Sequence, residues 1–412
     1  MLTARRSGPL AGEARVPGDK SCSHRALILG AMAQGETEIE GLGESADVLA
    51  TVDALRAFGR PVERIGAGRW RIAGGNWQSP DEPIDCGNSA TTARLLVGAV
   101  AGMAGVTATF TGDPSLCARP MLRLVEPLRR MGADIDGVDR LPLTVRGVRL
   151  SGIEHDNEPP SAQVKAALLL AGLAAAAPVT IRERMPSRDH SEIMLREFGG
   201  PPLRGTTVRI GGDPSSAAFP LVAAAIVPGS DVRLSGMLAN PLRLGLIRVL
   251  ERMGADLALS NERRQSGEVI ADIRVRHAPL TCCRVAAGEV PALIDEVPAL
   301  AVACAFADGQ SVIEGLGELR VKESDRLAGI ASGLEACGVE ARVVGDDLHI
   351  VGRGSVPGGA SVSTGGDHRI AMAFLTLGLA SEQPVSVDRD EMIATSFRGF
   401  VDTMRALGGD IR

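Results

Sequence analysis

Apolar residues along this chain follow two patterns that take turns. In the first, a polar start leads into about ten nearly unbroken Ala- and Leu-rich positions, as after DKSCSHR (19–25) and SAQVK (161–165). Such a run is too short to span a bilayer and suits a helix buried on every side. A Gly or Pro then breaks it, and a short alternating segment follows, as in TEIEGL (37–42), VTIRER (179–184), DVRLSG (231–236) and PVSVDR (384–389). Alternation of that kind predicts a strand. An amphipathic helix comes next and ends on a Leu-x-x-apolar-Gly signature or a close variant. LRAFG, LRRMG, LREFG, LERMG, LEACG and MRALG close at Gly59, Gly132, Gly199, Gly254, Gly338 and Gly408. A glycine there suits a left-handed C-terminal cap.

Three of these endings fall in each half of the chain. Within them, GETEIEGLGES (35–45) returns as GQSVIEGLGEL (309–319), matching at Gly35/Gly309, Ile39/Ile313, Glu40/Glu314, Gly41/Gly315, Leu42/Leu316, Gly43/Gly317 and Glu44/Glu318. A near-copy at that separation points to duplication. The order predicts an α/β protein of six similar units in two lobes, with helices packed on sheets. An ordinary open α/β sheet would explain the alternation but not six markers of one type.

Composition narrows the class. At 412 residues the chain exceeds what one core usually covers, so two domains are expected. It is 45% hydrophobic with mean hydropathy +0.11, yet no apolar run suits a transmembrane helix. The start, MLTARRSGPLAGEARVPG, lacks an apolar signal core and is too short for a transit peptide, so a cytoplasmic protein is expected. Cysteines 22, 86, 117, 282, 283, 304 and 337 are odd in number and form no CxxC pair, which reads as reduced thiols. The six histidines are scattered, and no protein-bound metal is expected. A net charge of −6, no Tyr and 2% aromatics leave no basic face or stacking platform for nucleic acid.

Candidate chemistry lies in the polar starts: DKSCSHR (19–25), GNSATTAR (87–94), SAQVK (161–165), GDPSSAAF (212–219), IDEVPAL (294–300) and GDHRIAM (366–372). Each precedes a predicted buried helix, where free N–H groups and the dipole favour an anion. Helix capping accounts for a Ser, Thr, Asp or Asn at such a place. It does not account for Lys20, Arg25, Arg94 and Arg369, cations set against the dipole, which suggest a bound anion. Arg119 in SLCARPM and the cluster RVKESDR (320–326) add to the set. A charged run is usually solvated surface. This one lies between a predicted strand and helix, directly after the duplicated segment, whose other copy leads to Asp47. On a helix Lys322 and Arg326 would share a face, with Glu323 beside them as an ion-pair partner or a proton carrier.

Eight ordered motifs, PGDKSCSHRAL, GNSATTARLL, SLCARPM, SAQVKAALLLAGL, SRDHSEIML, RVKESDR, DHRIAM and IATSF, resemble the 5-enolpyruvylshikimate-3-phosphate synthases (3-phosphoshikimate 1-carboxyvinyltransferases) from about residue 14 onward. The resemblance implies that family's fold, an inside-out α/β barrel arrangement of two lobes, each of three βαβαββ-type units, closing on substrate. Residues 1–15 with 213–412 would form one lobe and residues 16–212 the other. It also implies a monomer without cofactor that transfers the enolpyruvyl group of phosphoenolpyruvate to the 5-hydroxyl of shikimate 3-phosphate, releasing phosphate. By motif, Lys20, Ser21, Arg25, Ser161, Ala162, Gln163, Ser187, Asp295 and Lys322 would contact shikimate 3-phosphate. Lys20, Ala90, Arg119, Gln163, Arg326 and Arg369 would contact phosphoenolpyruvate. Asp295 would accept the hydroxyl proton, Glu323 would donate to the methylene, and Lys20 would assist the leaving phosphate.

Some positions depart from the commonest family pattern. Asp19 and His24 stand where many members have Ser and Asn, Ala162 replaces a second Ser, Thr395 a lysine, and Ala90 a glycine. Together these resemble the glyphosate-tolerant class II branch. Arg398 stands where proline is usual, and the stretch from Gly199 to Gly212 is short for the class. Two other readings share features with this one. UDP-N-acetylglucosamine enolpyruvyl transferase has a loop cysteine before an arginine, but Cys117 is only two residues before Arg119 and KSCSHR does not match that family's start. A non-catalytic binder of phosphorylated acids would need the cations but neither Asp295 nor Glu323.

Overall fold

Thirteen α-helices of two kinds alternate along the computed structural model, which describes every residue from Met1 to Arg412. In chain order they are α1 (Lys20–Met32), α2 (Ala46–Ala57), α3 (Ala90–Ala101), the single turn α4 (Pro114–Cys117), α5 (Leu122–Arg130), α6 (Ala162–Ala175) and α7 (His190–Glu197). After them come α8 (Pro214–Ile226), α9 (Gly245–Arg252), α10 (Val297–Phe306), α11 (Arg326–Ala336), α12 (His368–Gly378) and α13 (Phe400–Ala406). The Ala/Leu runs form α1, α3, α6, α8, α10 and α12. In α10 and α12 every residue is buried, and in α8 every residue after Pro214 is. Small residues let such helices meet closely. A Cβ on Gly98 of α3 would lie 2.3 Å from the backbone oxygen of Ala167 in α6.

Surface helices α2, α5, α7, α9, α11 and α13 all close the same way. Gly59, Gly132, Gly199, Gly254, Gly338 and Gly408 take φ between +75° and +103°. In each, the glycine N–H and the next N–H fold back onto the last turn, as in Gly132 to Arg129 O (2.9 Å) and Ala133 to Leu128 O (3.0 Å). The repeated signature is therefore a Schellman stop, which leads into a hairpin after α2, α5, α9 and α11 and into a single strand after α7 and α13.

The chain divides into two compact units. Unit 1 comprises Met1–Pro17, Gly211–Arg264 and Val269–Arg412, and unit 2 comprises Gly18–Ile210 with Gln265–Glu268. Unit 1 holds three four-stranded sheets; in one, Leu2–Arg5 lies antiparallel between Val385–Val387 and Asp410–Ile411. Unit 2 holds two four-stranded sheets and the parallel pair Ile153–Asp156/Val179–Arg182, which lacks a hairpin. Four buried helices connect strands that are parallel neighbours, as α3 does between 84–85 and 107–111. The other two exchange partners. The strand before α1 (Ala11–Ala14) lies beside the one after α8 (Asp231–Leu238), and the strand before α8 (Thr207–Arg209) beside the one after α1 (Glu36–Glu40). That reciprocity is what a duplicated chain crossing between units requires.

The duplicated segment is structural. Ile39 and Ile313 are buried in strands, and Gly41 and Gly315 follow at φ +78° and +70°. Leu42 and Leu316 are buried directly after them. No helix is long and apolar enough to cross a membrane.

Candidate active site

In unit 2 the first turns of α1, α3 and α6 gather most of the residues singled out by sequence. Asp19 caps α1, its Oδ1 accepting from the N–H of Cys22 at 2.8 Å, and Ser89 and Ser161 cap α3 and α6. Capping therefore explains these polar residues. The cations have protein acceptors as well. Lys20 Nζ donates to Asp47 Oδ2 at 2.9 Å, with both side chains mostly buried. Arg25, 4% exposed, donates to Ser191 Oγ (2.7 Å), Ser21 O (2.9 Å) and Ala162 O (3.3 Å), and so joins α1 to α6 and α7. Gln163 accepts from Arg94 and donates to Thr91 Oγ1 at 2.9 Å, joining α6 to α3. Arg119 donates to Asn88 Oδ1 at 2.8 Å, and Asn88 donates onward to Asp113 at 2.8 Å. Ala90 is the first residue of α3 and is buried.

Two buried networks hold these helix starts in register. His24 Nδ1 meets Thr51 Oγ1 at 2.7 Å, Thr51 meets Thr92 at 2.7 Å, and Thr92 donates to Ser89 Oγ at 2.8 Å. Burial, reinforced by Lys20 and Arg25, holds His24 well below the ordinary imidazole value, so it is neutral. In the second network Lys165, 5% exposed, lies between Glu183 (3.0 Å) and Glu192 (2.9 Å). The Ser187 hydroxyl donates to Glu183 as well. Burial alone would raise Glu183, but bonds from Ser187, Lys165 and Asn157 outweigh it and keep the carboxyl below its usual value.

Unit 1 supplies a second set. Arg326, fully buried at the start of α11, donates from Nε to Asp367 Oδ2 (2.8 Å) and from Nη2 to Glu323 Oε2 (2.5 Å). Its Nη1 makes no hydrogen bond and stands 3.9 Å from Asp295 Oδ1. Arg369, second in α12, donates to the backbone oxygen of Asp295 at 2.8 Å, and its Nη2 is also 3.9 Å from Asp295 Oδ1. One carboxylate thus lies between two guanidinium groups at more than hydrogen-bond length. Burial would lower Arg326, but Asp367, Glu323 and Asp295 outweigh it and raise its value, so its charge is fixed. Burial pulls Lys322 below the usual ammonium value, against the opposing pull of Asp295.

A family model for EPSP synthase (3-phosphoshikimate 1-carboxyvinyltransferase) matches residues 4–404. The chain belongs to the EPSP synthase family. The 3-phosphoshikimate 1-carboxyvinyltransferase of Phenylobacterium zucineum (strain HLK1) is 52% identical over 432 residues, covering 100% of this chain and 95% of that protein. Its counterpart in Caulobacter vibrioides (strain NA1000 / CB15N) is 51% identical over 430 residues, covering 98% and 97%. Among solved structures, EPSP synthase from Acinetobacter baumannii matches with a TM-score of 0.87 at 39% identity, covering 100% and 99% of the two chains. The enolpyruvyl transferase NikO from Streptomyces tendae shares the fold at a TM-score of 0.75 and 19% identity, covering 100% and 98%.

One sequence expectation needs correction. Lys322 and Arg326 do not share a helical face, because Gly317–Val321 forms a 3-10 turn and α11 begins only at Arg326. Asp325 competes for the backbone there, accepting the N–H of Ala328 at 3.0 Å as a cap. Thr395 lies in the turn Asp390–Thr395 with its hydroxyl 3.2 Å from His368 Nδ1, and Arg398 is exposed. Nothing in the structure explains Arg398. Cys117 is half-buried, with Sγ 3.3 Å from Gly112 O. Sequence reading missed Lys165, Glu183, Ser191, Asn88 and Asp367 as partners. Asp367 alone carried a signal, as the Asp before a buried helix that also holds an arginine.

Proposed function

We propose that the chain transfers the enolpyruvyl group of phosphoenolpyruvate to the 5-hydroxyl of shikimate 3-phosphate and releases phosphate. The observation that supports this best is the Asp295 carboxylate between Arg326 and Arg369, with Glu323 on the same guanidinium. Arg326 Nη1 lacks a hydrogen-bond acceptor, and planar guanidinium groups pair with the oxygens of carboxylate and phosphate. Unit 1 would therefore bind phosphoenolpyruvate through Arg326 and Arg369, with Lys322 toward the phosphorylated acceptor. Unit 2 would bind the acceptor through Lys20, Ser21, Arg25, Ser161, Gln163 and Ser187, and phosphoenolpyruvate through Lys20, Arg119 and Gln163. Ala162 can contribute only its backbone N–H, at the start of α6, where the dipole favours an anion.

The chemistry needs one base and one acid. The 5-hydroxyl oxygen bonds to C2 of phosphoenolpyruvate as its proton passes to Asp295, while Glu323 protonates C3 to a methyl group. In the second step the C2–O bond to phosphate breaks and a proton leaves the methyl group, restoring the double bond with the roles reversed. Lys20 would balance charge on the departing phosphate. The residues that depart from the commonest family pattern, Ala90 above all, support placement in the glyphosate-tolerant class II branch. The odd number of cysteines and the lack of a CxxC pair support a reducing, cytoplasmic setting.

Phosphate release measured with each acceptor tests the reading. Release with shikimate 3-phosphate and none with UDP-N-acetylglucosamine is expected. Release with the sugar nucleotide, or with neither acceptor while both substrates bind, overturns it.

A further inference from the structure

Beside the first turn of α1, unit 2 brings a remote buried histidine up to two buried residues of the helix start. Asp19, Cys22 and His190 each present one ligand atom, and those atoms lie within 4.8 Å of one another. The three residues are 1%, 2% and 0% exposed. A second observation points to a ligand. His190 Nδ1 lies 2.6 Å from Glu268 Oε1, while its buried Nε2 has no hydrogen-bond partner. A buried ring nitrogen without a partner is costly and calls for an occupant. The carboxylate on Nδ1 holds the proton there and leaves the lone pair on Nε2, as outer carboxylates do for metal-binding histidines.

We propose that Asp19, Cys22 and His190 form a site for a divalent transition-metal ion of the zinc class. One nitrogen, one sulfur and one oxygen ligand suit zinc, and a fourth position stays open. With one sulfur in the set, tetrahedral bonds of about 2.0–2.3 Å place ligand atoms roughly 3.3–3.5 Å apart, so these need draw in by at most about 1.5 Å. On binding, the Cys22 thiol loses its proton to solvent and the sulfur bonds to the metal. The thiolate and the Asp19 carboxylate then neutralise a divalent ion, which keeps the desolvation cost of a buried charge low. Asp19 Oδ1 already accepts the N–H of Cys22, so the same carboxylate would tie the ion to the start of α1. Glu268 is a positioning residue that acts through His190.

The test uses the full-length chain, cleared of metal by a chelator and then dialysed against Zn(II) or Co(II). One equivalent is expected to bind, and the cobalt form should show a thiolate-to-metal charge-transfer band in the near ultraviolet. Cys22→Ala, a small apolar replacement in a buried place, should abolish the band without loss of fold. Glu268→Gln should keep the band but weaken affinity about 10- to 100-fold. Absence of stoichiometric uptake overturns the proposal. An unchanged band in Cys22→Ala also overturns it, by placing the ion on other thiols such as the exposed Cys282.

Discussion

In the proposed mechanism Asp295 and Glu323 take opposite duties beside the same guanidinium, so their amides should fail in similar ways. Asp295→Asn and Glu323→Gln should each retain both substrates while kcat falls by roughly 100-fold or more. Unchanged turnover removes the residue from the mechanism, and lost binding with intact turnover reassigns it to positioning. Ala90 offers a second check. Glyphosate is longer than phosphoenolpyruvate, and crowding from an added methyl costs about 1–3 kcal/mol, or roughly 5- to 150-fold in affinity. Ala90→Gly should therefore become more sensitive to glyphosate while still using phosphoenolpyruvate; equal inhibition curves withdraw the class II placement. A third concerns acid. Glu183 is held below its ordinary value of 4.5, so its stabilising effect is present above that pH and fades as pH falls through the lowered value. Glu183→Gln should be less stable than the native chain near neutrality, and the gap in urea midpoint should narrow below about pH 4.5. A gap that stays constant would show that the carboxylate charge contributes nothing. Most residues of the candidate site were legible because they sit in motifs at helix starts. Their partners were not, since Ser191 and Asn88 meet Arg25 and Arg119 only through folding.

At the scale of elements, a single substitution type separates two uses of glycine. Gly132 ends α5 at φ +95° with open space around its missing side chain. Gly132→Ala should cost about 1–2 kcal/mol, the ordinary strain of a left-handed residue. Gly98 in α3 has helical geometry, but an added methyl would meet the backbone of α6 at 2.3 Å, and backbone cannot rotate away. Gly98→Ala should therefore lower Tm more than Gly132→Ala does; the reverse order would mean that the α3–α6 contact yields easily. Helix endings were readable because a Schellman stop demands glycine at one fixed place. The break in RVKESDR was not, because Asp325 can either continue a helix or cap one, and only its bond to Ala328 decides.

For the whole molecule, alternation and repeat count were legible, but which strand pairs with which was not. Pairing between Ala11–Ala14 and Asp231–Leu238 leaves no local trace, since each strand is compatible with many neighbours. The N-terminal strand should matter more than its position suggests. Leu2–Arg5 is an inner strand, and removing it would bare the edges of Val385–Val387 and Asp410–Ile411. A chain lacking residues 1–6 should accumulate largely in the insoluble fraction, and a soluble product with native Tm would contradict that expectation. The same pairing governs the order of events during synthesis. Leu2–Arg5 leaves the ribosome long before its partners Val385–Val387 and Asp410–Ile411, so one sheet of unit 1 must wait for those segments. Unit 2 needs from beyond Ile210 only the four residues Gln265–Glu268, and its core can form while translation continues. A stalled or truncated product would then carry one finished unit and one set of unpaired strands, the kind of species that chaperones retain.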